Sequence, residues 1–486
     1  MATSTNIPVT TQLNKPSAQG WLAASLRVWG LILLALHLAA YTLAPDVAWS
    51  LWPYSYIPAW AGWLLAMLVA ALTLPPANRA VWAALARLWA GAMSLPAARY
   101  RQLWFAVAAL LAGALFWAAR LRHLRWGDSY LLTVALSYPD LDLRVVYNWQ
   151  APFTVFLHQR LWQYVAGPLL GWPVETVYAA ISTVCGMLFV FVLLNFAARL
   201  GRSVLEAFVL AAIVLTTGSM QLFFGYVENY TIISLLVMVM LFLGWHAAQG
   251  TLPPVWAVTA LSLTNAFHPS TVFLWPGMLL LAWLCWRRGR LSLAATVAQV
   301  TLPPLIIGGS VLALMESGGH GLSAFLGVDR PGGGDGIWFV PLFETTTEWQ
   351  HYTMFSVAHF LDWANIHLLI SPFGLPVIVL VLLASIYFKR QLFGIPAERD
   401  FARFLGLTAF MYVLLTWLWN PDYGGQKDWD LFAPSAFVYT LLAGYLLVRA
   451  LPNRPLLKET SLFVLGVSLL HTAAWIFLNT HNLPRS

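Results

Sequence analysis

Charge is the scarcest commodity in this sequence: 9% of its 486 residues are Asp, Glu, Lys or Arg, against roughly 25% in an ordinary soluble domain. A water-soluble globular fold is excluded, since 60% of the residues are hydrophobic and the mean hydropathy is +0.72. Cysteine is nearly absent. Cys185 and Cys285 each lie inside an apolar run, without the spacing of a disulfide framework or a zinc site, and read as small core residues. The net charge of +7 comes from bases scattered in ones to threes, with no basic tail or stripe, which excludes nucleic-acid binding. The apolar runs also lack the alternating polarity of a membrane barrel strand, so only helices remain.

What is present is a succession of stretches close to the roughly 20 apolar residues needed to cross a bilayer. The sequence predicts an all-α polytopic transmembrane bundle of about 13 spans: 28–44, 57–74, 103–119, 174–196, 205–223, 231–248, 253–267, 270–286, 295–314, 373–388, 401–419, 434–450 and 461–479. Residues 1–20 form a polar tail, too weakly basic for a secretory leader, so the first span is expected to stay uncleaved. Residues 21–486 then form a single transmembrane domain. Residues 79–93 set Val81, Trp82, Leu85, Leu88, Trp89 and Met93 at helical spacing beside Arg87, the pattern of an anchoring helix in the cytoplasmic interface. The loop 120–171 is too polar to span, and its aromatic stretch from Val145 to Val165 suggests helices on the outer surface. The loop 315–370 is Gly-rich as far as Gly334 and becomes aromatic and helical after Thr347; it is either unstructured or a mobile lid.

These spans divide the charge unevenly. One side carries 18 basic and four acidic residues (Glu206, Glu398, Asp400 and Glu459), which makes it cytoplasmic by the positive-inside rule. The other carries eight bases and 15 acids. Acids have little topological preference, so their concentration on the outer face calls for a functional cause.

The outer loops hold a few polar groups able to do chemistry. In Arg125-Trp126-Gly127-Asp128-Ser129-Tyr130, a carboxylate emerges at the outer membrane boundary after a glycine turn. Asp128 there could take a proton from a hydroxyl or help hold a metal; its plainer role is to cap the helix that follows. In Tyr423-Gly424-Gly425-Gln426-Lys427-Asp428-Trp429-Asp430, two carboxylates flank a tryptophan beside a lysine, a set able to hold a divalent cation or to bind phosphate through Lys427. His268 interrupts a 33-residue apolar stretch and, with Pro269 ending the first helix, falls at an outer turn. Glu228 marks another outer turn, where a carboxylate must find water or a partner. Arg120, Arg122 and Arg125 run against the topology rule and suggest an anionic ligand such as a lipid phosphate. His246 and His471 read as core histidines.

This layout resembles the GT-C superfamily of integral-membrane glycosyltransferases, in particular the bacterial relatives of protein O-mannosyltransferases and lipid A aminoarabinose transferases. The resemblance is carried by Asp128 in the first large outer loop, the proline-bearing surface segment Trp149-Gln150-Ala151-Pro152-Phe153, the many spans and the long late outer loop. It implies transfer of a sugar from a polyprenyl-phosphate carrier to a glycan, lipid or protein acceptor, at the extracytoplasmic face of a bacterial plasma membrane. The catalytic acids would be Asp128, Asp428 and Asp430, which are also the candidates for a divalent metal (Mg or Mn). Arg125, Lys427 and His268 would hold the donor phosphate, and Glu228, Tyr130, Asn148 and Gln150 the substrate. Many family members carry a second acid beside the first; here Ser129 follows Asp128, so the partner acid must come from Glu228, Asp428 or Asp430. The first two spans also add a hairpin where the family has one span. A transporter or lipid flippase is the rival reading, and its signature would be charges near the bilayer midplane.

Overall fold

The computed structural model describes residues 17–43, 46–93, 98–327 and 338–483. Nine of the helices among them are long and apolar enough to cross a membrane, or up to eleven if two sharply bent pairs each count as one span. The protein is a polytopic helical membrane protein. Among the described residues the only β pairing is an isolated antiparallel bridge between Phe339 and Trp419.

The helix Trp429–Ala450 is the axis of the bundle, with 94% of its apolar window buried inside the protein. In lipid, helices associate through close packing rather than through an aqueous hydrophobic effect, and small residues allow it. Gly444 illustrates this: a Cβ there would lie 2.9 Å from Ile213 Cγ2. At the periphery, Leu293–Ser317 has only 11% of its window buried and Arg99–Ala118 only 22%, so their apolar side chains face outward.

The span count departs from the expected thirteen for a local reason. The run 205–223 is a 12-residue helix, Val204–Leu215, followed by a 3-10 turn, Gly218–Phe223. The run 253–267 is a 13-residue helix, Val255–Phe267, that stops before His268 and Pro269. At 1.5 Å per residue each helix reaches only about 20 Å. Their apolar composition continues past the helix end because the turns that follow are themselves buried. Residues 79–93, expected to be helical, fall in the helix Pro75–Met93, set at 95° to the preceding helix across Leu74. The second bent pair, Val357–Ile370 with Gly374–Tyr387, turns by 98°, so the end of the late outer loop is helical. Residues 1–16 of the expected tail, and the Gly-rich stretch Arg330–Gly334, lie outside the described residues.

The two ends of the bundle differ in how they treat charge. Arg27–Glu459, Arg202–Glu398, Arg288–Asp400, Arg403–Asp400, Arg449–Glu206 and Arg449–Glu398 are paired at one end. These use all four acids assigned to the basic side. At the other end, about 26 residues along the Arg454–Asn479 helix, Asp128, Glu228, Asp428 and Asp430 gather with no ion pair to a described residue.

Candidate functional site

Four turns at one end of the bundle close around one cavity. The first follows the Ala98–Ala118 helix as an extended segment: Leu121 N–H donates to Phe224 O (2.8 Å) and Arg122 N–H to Asn479 O (3.1 Å). Trp126 is buried and donates from Nε1 to Asn479 Oδ1 at 2.8 Å, which fixes the next residue, Gly127. Gly127 has φ +50°, a left-handed value that only glycine adopts cheaply. Its N–H donates to Lys427 O at 2.9 Å, and Asp128 then precedes the helix Ser129–Leu136. Ser129 Oγ donates to Val227 O at 2.8 Å, tying this turn to the one that bears Glu228.

The cavity, of about 100 Å³, is lined by Asp128, Glu228, Asp422, Asp428 and Asp430, with His268, Tyr230, Tyr423 and Gln150 around them. Glu228, Asp428 and Asp430 are buried, at 2%, 8% and 1% exposure, while Asp128 is half-buried. A Cβ on Gly127 would lie 2.6 Å from Glu228 Oε1 and 3.0 Å from Asp430 Oδ2, so these two oxygens are within 5.6 Å of each other. Neither has a hydrogen-bond partner. Leaving a buried polar atom unsatisfied costs about 1–3 kcal/mol, and more for a carboxylate, which marks the cluster as kept for something other than stability.

The acids differ in their hold on protons. Burial raises the Asp128 carboxyl above its ordinary value, and the Tyr423 hydroxyl donating to it pulls it back. Burial, then the charges of Asp430 and Asp128, hold Glu228 well above the usual carboxylate range. Asp428 is likewise held well above it by burial and by Asp430, against the Tyr423 N–H donating to its Oδ2 at 2.8 Å. Asp128 is therefore the most easily ionised of these three, and Glu228 and Asp428 stay protonated longest. Burial pushes His268 down to about 4, so its ring is neutral. Its Nδ1 accepts from Ser270 N–H at 3.3 Å and meets Ser270 Oγ at 2.8 Å, which leaves Nε2–H as a donor.

Of the residues expected from sequence, Asp128, Glu228, His268, Asp428, Asp430 and Gln150 are brought together in this lining. Arg125, Lys427, Tyr130 and Asn148 are not. The Arg125 guanidinium lies over the rings of Trp52 and Trp126. Lys427 joins the site through its carbonyl, Tyr130 is exposed, and Asn148 Oδ1 accepts the Gln150 N–H. Among the described residues the lining has no Arg or Lys. No group of three or more His, Cys, Asp or Glu is arranged there, or elsewhere among the described residues, to hold a metal ion.

Sequence reasoning missed Asp362, which organises the Lys427 turn from a distance. Its Oδ2 accepts from Gly425 N–H (2.9 Å) and the Tyr352 hydroxyl (2.8 Å), and its Oδ1 from Trp49 Nε1 (3.1 Å). Nothing in the local sequence marks it, because its three donors lie 313, 10 and 63 positions away. Tyr423 belongs to a segment singled out from sequence but carries no assignment there, and Asp422 lies just outside it. A second cavity backs onto the first across the Gly225–Val227 turn, lined by Arg120, Arg122, His123 and Glu175. Arg120 Nη1 donates to Trp117 O at 3.0 Å and its guanidinium lies 4.5 Å from the Trp117 ring centroid. Glu175 forms no ion pair with either arginine.

Fold and site together define a polytopic helical membrane protein with an acidic cavity at one end and a basic cavity beside it. Two solved structures are similar to it, both of ArnT from Cupriavidus metallidurans. The one bound to undecaprenyl phosphate is 14% identical, with 79% of this chain and 78% of that chain covered at a TM-score of 0.48. The one in the apo state is 14% identical, with 78% and 76% covered at a TM-score of 0.46. No family model and no curated protein matches the sequence.

Proposed function

We propose that this protein is a membrane glycosyltransferase that moves a sugar from a polyprenyl-phosphate carrier to an acceptor hydroxyl, on the extracytoplasmic face of a bacterial plasma membrane. The observation that carries the reading is the convergence of Asp128, Glu228, Asp428 and Asp430 from three distant turns into one cavity at the end of the bundle. Carboxyls of unequal proton affinity in one site are the arrangement that acid–base chemistry at neutral pH requires.

Asp128, the most accessible of the four and steadied by Tyr423, takes the acceptor's hydroxyl proton as the acceptor oxygen bonds to the sugar's anomeric carbon. The bond from that carbon to the carrier phosphate breaks, and the phosphate leaves with the electron pair. Protonated Glu228 and His268 Nε2–H donate hydrogen bonds to the sugar's oxygens. With Asp128 ionised and no cation in its described lining, the acidic cavity offers a phosphate no charge partner of its own. Arg120 and Arg122, across the Gly225–Val227 turn in the neighbouring basic cavity, are assigned to attract the carrier phosphate at long range and guide it to the mouth of the acidic cavity, where its bond to the anomeric carbon keeps it.

The test is to supply polyprenyl-phosphate sugars to the purified protein and measure release of the carrier phosphate. Asp128→Asn is expected to lose about 10²–10⁴-fold in turnover, as for removal of a general base. Arg120→Gln with Arg122→Gln is expected to raise the donor KM by roughly tenfold at low salt and less at high salt, as for long-range attraction. Unchanged turnover in Asp128→Asn contradicts the reading.

A further inference from the structure

At the end of the bundle opposite the acidic cavity lies a separate cavity of about 460 Å³. One wall is the interfacial helix Pro75–Met93, through Trp82 and Leu85; another is the start of Val204–Leu215, through Phe208. Trp82 and Phe208 meet edge to face, ring centroids 5.1 Å apart, and join the two walls. The third wall is the first turns of Arg454–Asn479, which contribute Arg454 and Lys458. These two cations are four residues apart and so lie on one helix face.

Their position is unfavourable for the helix that carries them. The N-terminus of a helix is its positive end, where acids stabilise and bases do not. The first turn here has no acid, and neither Arg454 nor Lys458 forms an ion pair with a described residue. Glu459, the adjacent acid, is held by Arg27 at 3.0 Å. Among the described residues the cavity lining holds no acid. An apolar groove beside a membrane-surface helix, with two uncompensated cations and a positive helix end at its rim, complements a molecule with an anionic head and a hydrocarbon tail.

We propose that this groove binds an anionic phospholipid of the surrounding leaflet, its phosphate between Arg454 and Lys458 and an acyl chain against Trp82, Leu85 and Phe208. The site is independent of the glycosyltransferase reading, since it lies at the other end of the bundle and its test needs no turnover. The bound lipid would pin the interfacial helix to the bundle.

The experiment measures thermal stability of the detergent-purified full chain with added phosphatidylglycerol, phosphatidylcholine or inorganic phosphate, and phosphatidylglycerol retention by native mass spectrometry. Phosphatidylglycerol alone is expected to raise the melting temperature. Arg454→Gln with Lys458→Gln is expected to lose that increment and to retain the lipid about tenfold less well. Arg454→Lys with Lys458→Arg keeps both, and Leu85→Trp, which fills the groove, loses both. An equal response to phosphatidylcholine, full reproduction by inorganic phosphate, or an undiminished response in the Gln pair would overturn the proposal.

Discussion

At the residue scale, the site turns on how a few polar groups are denied solvent. Asp128, Glu228 and Asp428 all have raised proton affinities in the folded chain. The fold therefore favours their protonated forms. Their contribution to stability is fully present below the ordinary carboxylate value of about 4 and is lost as pH rises through the folded-state values. Melting temperature is expected to fall from mildly acidic to alkaline pH, and Glu228→Gln with Asp428→Asn is expected to flatten that slope. Gly127→Ala is a sharper probe: φ is +50° and the new methyl would meet Glu228 Oε1 and Asp430 Oδ2. The expected outcome is loss of turnover together with a drop in stability of about 1–3 kcal/mol, read from denaturation and activity. Asp128, Glu228, His268, Asp428 and Asp430 were legible in the sequence because isolated polar groups between apolar runs are conspicuous. Arg125 and Lys427 fall outside the lining, because adjacency along the chain does not say which way a side chain turns.

At the element scale, the apolar runs and the break at His268–Pro269 are legible in the sequence, but the early end of the helix Val204–Leu215 is not. Hydropathy reports burial in either lipid or protein. It therefore counted Val204–Leu215 with its following 3-10 turn as one span, and the 13-residue Val255–Phe267 as another. Those breaks are what deliver the Glu228 and His268 turns to the cavity. The Lys427 turn depends instead on a long-range support that no local pattern reveals, the Gly425 N–H donating to Asp362. Asp362→Ala leaves the Gly425, Tyr352 and Trp49 donors without their acceptor. Turnover is expected to fall while attraction of the donor by Arg120 and Arg122 persists, so kcat drops and KM for the donor holds. A KM change alone would assign Asp362 elsewhere.

At the scale of the whole molecule, the chain separates paired charge from unpaired charge. The uneven distribution of acids was readable in the sequence; which acids are satisfied was not, since pairing spans hundreds of residues, as between Arg449 and Glu206. Arg449 is 6% exposed and holds both Glu206 and Glu398. Arg449→Met is expected to cost about 3–5 kcal/mol, because two acids lose their buried partner. Turnover per folded molecule is expected to stay unchanged, because this network lies at the far end of the bundle.

The measurement that bears most directly on the account is infrared difference spectroscopy of the carboxyl groups in the purified protein at neutral pH. A protonated-carboxyl band that loses intensity in Glu228→Gln and again in Asp428→Asn, and persists undiminished in Asp128→Asn, is the expected result, since it distinguishes neutral donors from an ionised base within one cavity. Absence of such a band in the unsubstituted protein, or its loss on Asp128→Asn alone, would contradict the division of roles on which the chemistry rests.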